Sequence, residues 1–240
     1  MTDTNGFGMI DDHSDLPARI DTATVVRQLA HGLVSRRVDV SMLHRIAADV
    51  EAMLTEVEGS PARNRLDEMA TNPRFAAALK SGTMSDVVED GAFVDLFHDS
   101  PVSGSANPLS IGLRIRRENN ESVGTVTLAP GWEGAPGRGH GGVVAACVDE
   151  TIGGLLPILG TMAFTGELTL RYRAPCPLGV PLEFRAWLVE RDGRRLYIAA
   201  SGTGPDGVFV ESTALFITVD IARLAEMNAP LDDEADDARI

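Results

Sequence analysis

The stretch from Gly137 to Leu159, GRGHGGVVAACVDETIGGLLPIL, constrains the fold more than any other part of this 240-residue chain. It begins as a glycine-rich turn and continues from Val143 as an apolar segment in which only Asp149 and Glu150 are charged. A helix of this composition is apolar on nearly every face, whereas a helix at a protein surface keeps a polar face. We therefore predict a buried central helix, and a sheet must surround it.

The start of this helix is a suitable binding site for a negatively charged oxygen. At His140, Gly141 and Gly142 the backbone N–H groups lack intrahelical partners, and the helix dipole adds partial positive charge. Asp149 lies nine residues after His140, which is about 13 Å along the axis and roughly half a turn around it. Since one helix cannot bring both groups to one carbonyl, we predict a dimer in which each Asp149 approaches the helix start of the other subunit.

The pattern after Ile111 changes to the period of about two residues that is typical of strands. Strands are predicted at 113–115, 123–128, 164–173, 182–191, 196–203 and 208–219. Asn119-Asn120, Asp192-Gly193 and Asp206-Gly207 predict tight turns, because these residues tolerate positive φ. The fold class is therefore α+β, an antiparallel sheet wrapped round one helix, and we expect Pro157 and Gly160 to end that helix.

By composition, the chain divides into the sheet domain and three other segments. We predict disorder at 1–20, a helical extension at 21–88, the sheet domain at 89–222 and a disordered acidic tail at 223–240. In the extension, periodicity predicts one amphipathic helix with Val25, Val26, Leu29 and Leu33 on one face, and another from Leu43 to Val57 with Ser41 as its cap. A third helix is expected at Ser60-Pro61, with helical character resuming after Asn72-Pro73.

The composition of the chain disfavours several classes of partner and cofactor. A net charge of −14 disfavours nucleic acid and anionic membranes. We expect no signal peptide, since no apolar run follows a basic start, and no membrane span, since Asp149 and Glu150 interrupt the one apolar helix. A cytoplasmic protein is the resulting expectation. The two cysteines and five histidines show no ligand spacing, so neither a metal nor another cofactor is predicted.

Gly137, Gly139 and Gly142 form a G-x-G-x-x-G pattern, which is found in dinucleotide-binding sites. The preceding strand ends too far upstream for a tight strand-to-helix turn, and no parallel βαβ unit follows. No Lys-Ser/Thr pair follows the glycines, which excludes a P-loop. The sequence therefore disfavours both nucleotide sites.

The segment WEGAPGRGHGGVVAACVDE, followed by TGELTLRYRAPCPLG, resembles the hotdog-fold acyl-CoA thioesterases of the PaaI-like group, which includes the mammalian thioesterase superfamily members. The resemblance covers roughly residues 95–220 and rests on His-Gly-Gly, six residues and Asp, together with Tyr-x-x-Pro. It implies acyl-CoA hydrolysis by a homodimer or tetramer. It also implies that the Gly141 N–H polarises the thioester carbonyl, that the partner's Asp149 is the general base or nucleophile, and that Thr165 positions the attacking water.

Several site assignments have a structural alternative. Asp149 could bond backbone across the dimer, Thr165 could be an ordinary strand residue, and His140 is better explained as a helix cap than as a proton carrier. Some relatives carry an Asn where this chain has Gly134, and Glu133 is a possible substitute. The phosphates of CoA require cations, for which Arg138, Arg171 and Arg173 are candidates, although each could be an ordinary solvated residue.

Two rival functions stay open. One is a non-catalytic hotdog protein that binds an acyl thioester or another small ligand. It stays open because this chain has Gly134 where some relatives carry an Asn. The other is a dehydratase or hydratase, which we rank last because His140 lies at the helix start rather than beside the substrate carbons.

Overall fold

The structure is a computed structural model that describes residues 15–63, 88–94 and 97–219. The helices are α1 (Leu16–Ser35), α2 (Val40–Glu58), α3 (Gly141–Gly153) and α4 (Leu155–Ile158), and a short 3-10 turn spans Pro130–Trp132. The strands are β1 (Arg114–Glu118), β2 (Glu121–Thr127), β3 (Ala163–Tyr172), β4 (Pro181–Asp192), β5 (Arg195–Gly204) and β6 (Gly207–Thr218).

The six strands form one antiparallel sheet in the order β1-β2-β4-β5-β6-β3. The predicted α+β class is confirmed, and each strand boundary lies within three residues of its predicted position. The predicted turns contain positive φ values at Asn119 (54°), Gly193 (55°) and Gly207 (106°), as tight turns require. Strand β3, which follows the central helix, lies at an edge of the sheet.

Helix α3 is the predicted central helix, and it packs against β2, β3, β4 and β5. Its side chains Val144, Cys147, Val148 and Ile152 are buried, so the sheet covers the apolar surface that the sequence could not leave exposed. A glycine in β2 permits close approach, because a Cβ at Gly124 would lie 2.6 Å from the Thr151 hydroxyl.

The helix ends earlier than predicted. It breaks at Gly153 and Gly154, and Pro157 lies inside the four-residue helix α4 instead of ending the central one. Gly154 packs closely on the sheet, since a Cβ there would lie 2.7 Å from Ile115 Cγ2. Proline is tolerated in the first turn of a helix, where its missing N–H has no intrahelical partner to lose. Gly160, at φ 62°, follows α4 and not the central helix that it was expected to end.

The helical extension begins before its predicted start. Helix α1 starts at Leu16, within the segment predicted to be disordered, and Pro17 occupies its first turn. Helix α2 starts at Val40 after an extended Asp39, so Ser41 lies inside the helix and the prediction that it caps the helix is wrong. Residues 61–63, where the third helix was predicted to begin, are not helical, while the rest of that predicted helix and the acidic tail lie outside the described residues.

The two helices of the extension pack very differently. Helix α1 buries Ala23 against the rest of the chain, whereas α2 has no buried residue. The predicted apolar faces are exposed in the single chain, as Val25, Val26, Leu29 and Leu33 of α1 show. The extension therefore contacts the sheet domain through α1.

In the part of the chain that the structure describes, one helical stretch is long and apolar enough to cross a bilayer by length and composition alone. The window Gly141–Ile158 has a mean hydropathy of 1.4 over 18 residues, despite Asp149 and Glu150. Half of that window is buried inside the fold. Because the core helix of a folded domain meets the same criterion, this is weak support for a span.

Candidate active site

The start of α3 presents one free amide and one occupied amide. His140 is the N-cap, with extended φ and ψ of −64° and 132°, and its Nδ1 accepts a hydrogen bond of 3.0 Å from the Gly142 N–H. The prediction that His140 caps the helix is confirmed. Because the Gly142 N–H is already bonded, Gly141 is the better placed of the two predicted oxyanion donors.

Gly141 is exposed, and no group in the described part of the chain accepts a hydrogen bond from its N–H. Its carbonyl oxygen accepts a hydrogen bond of 2.8 Å from the Tyr172 hydroxyl at the end of β3. Tyr172 thus ties the edge strand to the helix start. The Tyr-x-x-Pro pattern marked this residue in the sequence, but its contact with Gly141 was not predicted.

Asp149 lies two turns further along α3 and is bonded to β3. Its Oδ1 accepts a hydrogen bond of 3.0 Å from the Thr165 hydroxyl, at a point where the register of β3 shifts between Thr165 and Glu167. Desolvation raises the pKa of the Asp149 carboxyl above its ordinary value, and the Glu150 charge adds to this, while the Thr165 hydrogen bond opposes it. The pair predicted from the sequence is therefore in contact.

Glu150, the neighbouring carboxylate, faces a different part of the chain. Its Oε1 accepts hydrogen bonds from the hydroxyls of Ser100, at 2.6 Å, and Ser103. These bonds attach the loop before β1 to the central helix. Glu150 thus has a structural role, as its orientation about 100° from Asp149 on a helix suggests.

The glycine-rich loop is closed by Glu133. Its Oε1 accepts a hydrogen bond of 2.5 Å from the Gly137 N–H, and its backbone forms a bridge with Gly139. A Cβ at Gly134 would lie 2.8 Å from His140 Cα, so an Asn there would require the loop to move. The Glu133 carboxylate is engaged within the loop, and Gly134 is a requirement of close packing.

The three candidate phosphate-binding arginines differ in their surroundings. Arg173 donates from Nε and Nη2 to Glu211 Oε2, at 2.8 and 2.6 Å. Arg138 in the glycine-rich loop and Arg171 on β3 are exposed. Since Arg173 already binds a carboxylate, Arg138 and Arg171 are the better candidates for an anionic ligand.

The two halves of the site do not meet within one chain. Gly141 and Asp149 are eight residues apart on the same helix, a separation of about 12 Å along its axis. Among residues 15–63, 88–94 and 97–219, no three His, Cys, Asp or Glu side chains are grouped as a metal site requires. The Gly141 amide and the Asp149 carboxylate thus lie on separate turns of α3.

The chain is similar in sequence to known thioesterases. The family model described as "Thioesterase superfamily" matches residues 137–208. The acyl-coenzyme A thioesterase THEM4 of Mus musculus is 34% identical over 101 residues, 40% of this chain and 44% of the relative. The protein of that name from Bos taurus is 30% identical over 108 residues, 43% of this chain and 44% of the relative. The chain thus spans less than half the length of these curated relatives.

This chain is also similar to the crystal structure of a protein described as a thioesterase superfamily protein, over a region larger than the central motif. It is 25% identical, covers 83% of this chain and 94% of its own, and superposes with a TM-score of 0.65. The match therefore includes more of the chain than the segment that carries the family motif. Taken with the antiparallel sheet around α3, this similarity shows that the chain has the fold of that thioesterase superfamily protein.

Proposed function

We propose that this protein hydrolyses acyl-CoA thioesters to the free acid and CoA at a site shared between two copies of the chain. The observation that carries the proposal is the Gly141 N–H at the start of α3, which has no acceptor among the residues that the structure describes. A helix N-terminus with a free amide stabilises an oxyanion, which is what thioester hydrolysis generates. The names of the similar mouse and bovine proteins support CoA thioesters as the substrate class.

The reaction needs only groups of the protein and water. The Gly141 N–H polarises the thioester carbonyl, and the partner's Asp149 carboxylate accepts a proton from a water molecule held near Thr165. The water oxygen bonds to the carbonyl carbon, and the negative charge that develops on the carbonyl oxygen is stabilised by the Gly141 N–H. The C–S bond then breaks, and the CoA thiolate leaves and takes the proton that Asp149 had accepted, which restores the carboxylate.

Asp149 is suited to the role of a base by its surroundings. Desolvation raises its carboxyl pKa, which strengthens the carboxylate as a proton acceptor, while the Thr165 hydroxyl limits that rise. A carboxylate with a raised pKa accepts a proton more readily than an ordinary one, which favours water activation. The environment therefore supports a general base.

A dimer completes the site in this proposal. Strand β3 is an edge strand, and Phe164 and Tyr172 on it are 55% and 52% exposed in the single chain. Exposed edges with apolar side chains are ordinarily covered by a partner. A two-fold axis beside β3 and α3 would bring each Asp149–Thr165 pair towards the Gly141 of the other copy. Arg138 and Arg171 would then bind CoA phosphates at the rim.

The test is release of free thiol from a series of acyl-CoAs, from acetyl to palmitoyl and including phenylacetyl, with wild type and Asp149→Asn. We expect turnover by wild type and its loss in the variant, with substrate binding retained. Single turnover in water labelled with heavy oxygen identifies a nucleophilic Asp149 whose anhydride with the acyl group is opened by water at the Asp149 carboxyl carbon, because the label then enters Asp149. Equal turnover by Asp149→Asn would contradict the proposal.

A second candidate is a non-catalytic protein that binds acyl thioesters. The observation that favours it is Gly134, which leaves no side chain where some relatives have a polar Asn. Under this alternative, acyl-CoA raises the unfolding temperature of the protein, yet no chain length yields free thiol. The same thiol measurement therefore decides between the two functions.

A further inference from the structure

Helix α1 contacts the chain immediately before the glycine-rich loop. His31 Nδ1 accepts a hydrogen bond of 3.2 Å from the Gly131 N–H. The His31 ring also meets the Trp132 ring edge-on, with centroids 5.6 Å apart and planes at 72°. A Cβ at Gly131 would lie 2.3 Å from that nitrogen, so the contact depends on a glycine.

This contact continues to the proposed oxyanion site. The Trp132 carbonyl oxygen accepts a hydrogen bond of 2.9 Å from the His140 N–H. His140 in turn caps α3 directly before Gly141. The position of the short turn thus fixes the position of the cap, and His31 fixes the turn from outside the sheet domain.

The placement of His31 is itself held by α1. The Arg27 guanidinium, one turn earlier, donates to the carbonyl oxygens of Ser105, at 3.2 Å, and Asn107. Ala23, another turn earlier, is 2% exposed. Because helix turns are rigid, these two contacts orient the imidazole towards Gly131.

The imidazole must be neutral to make this bond, since only an unprotonated Nδ1 accepts a hydrogen bond. Partial burial lowers the pKa of His31 below its ordinary value, and the charge of Arg27 lowers it further. Gly131 and Trp132, which face the ring from the turn, carry no titratable group. The surroundings therefore favour the neutral form.

We propose that His31 is a positioning residue for thioester hydrolysis, acting through Gly131, Trp132 and His140 to place the Gly141 amide. The inference rests on the proposed function and assigns the N-terminal extension a part in it. His31 touches no reacting atom in this account. Its contribution is to keep the oxyanion donor where the developing charge appears, because a misplacement of about 1 Å can cost about 100-fold in rate.

The test compares His31→Leu with His31→Asn, which have similar shapes. In Asn, as in His, the accepting atom is bonded to Cγ, so the hydrogen bond from Gly131 can be restored, whereas Leu has no acceptor. For His31→Leu we expect kcat to fall about 10-fold with KM changed less than about 2-fold, because the donor acts in the transition state. His31→Asn should recover most of kcat.

A second readout does not depend on activity. In proton–nitrogen correlation spectra, the Gly131, His140 and Gly142 amide signals should shift in His31→Leu and return towards wild type in His31→Asn. If wild type releases no thiol, the proposed function fails, while these signals still report whether His31 positions the loop. Unchanged His140 and Gly142 signals, or equal kcat losses in both variants, would overturn the inference. If His31→Leu does not fold, His31→Ala removes the same acceptor and takes its place.

Discussion

Replacing Gly141 with proline removes the proposed oxyanion donor with little other change. Gly141 is the first residue of α3, where proline is favoured because that N–H has no partner inside the helix. His140 before it has φ −64° and ψ 132°, which is the backbone conformation that a following proline requires. The new Cβ would lie 3.5 Å from the Tyr172 hydroxyl oxygen, an ordinary contact.

The expected loss follows from the chemistry of the missing donor. Removing one oxyanion donor costs about 2.7–4 kcal/mol of transition-state stabilisation, or about 100-fold to 1,000-fold in kcat. Thiol release from a good acyl-CoA substrate measures it, with the unfolding temperature and circular dichroism confirming an intact fold. Because the donor acts mainly on the developing oxyanion, KM should change much less than kcat.

Gly141→Ala is the matched control. It places a Cβ in the same position but keeps the N–H, so its kcat should stay within about 3-fold of wild type. If Gly141→Pro folds and retains wild-type kcat, the Gly141 amide is not the oxyanion donor. If proline and alanine reduce kcat equally, the Cβ and not the loss of the N–H is responsible.

Three further outcomes follow from the same geometry. Asp149→Asn should unfold at an equal or higher temperature than wild type at neutral pH. The folded-state pKa of Asp149 is raised, so the stability that its protonated form contributes is lost as pH rises through that pKa. Asn carries no charge to desolvate and does not lose this stability. A clear fall in unfolding temperature would contradict this. Thr165→Val removes a hydrogen bond that lowers the Asp149 pKa, so the acid limb of kcat/KM should move to higher pH, and an unmoved limb would exclude the coupling. Gly134→Ala puts a Cβ 2.8 Å from His140 Cα and should lower kcat about 10-fold to 100-fold by displacing the cap. Gly153→Ala, which meets nothing within 4 Å, should not lower it.

Much of the fold could be predicted because it depends on local chemistry. The strand pattern and turn residues such as Asp192-Gly193 determine where the chain reverses, and the structure has those turns. The end of α3 was mispredicted because Pro157 is the stronger local signal, whereas the break at Gly154 depends on the approach of Ile115 across the sheet. Such packing has no signature within a short stretch of sequence.

In the candidate site, too, the arrangement of residues close in sequence could be predicted, whereas contacts between distant residues could not. The spacing of His140, Gly141 and Asp149 is visible within one helix, and the Asp149 contact with Thr165 agrees with the sequence reasoning. The bond between His31 and Gly131 joins residues 100 positions apart. No periodicity links two such residues, and only the folded chain brings them together.

The central claim is that each site combines the Gly141 amide of one subunit with the Asp149 of its partner. It is tested most directly by mixing two inactive variants, Gly141→Pro and Asp149→Asn, under conditions that let subunits exchange. Each mixed dimer then contains one site with both native groups, so an equal mixture should recover about one quarter of wild-type activity. Each variant alone should stay inactive. A mixture that forms mixed dimers yet recovers no activity would show that the two groups do not meet across an interface, and it would contradict the account.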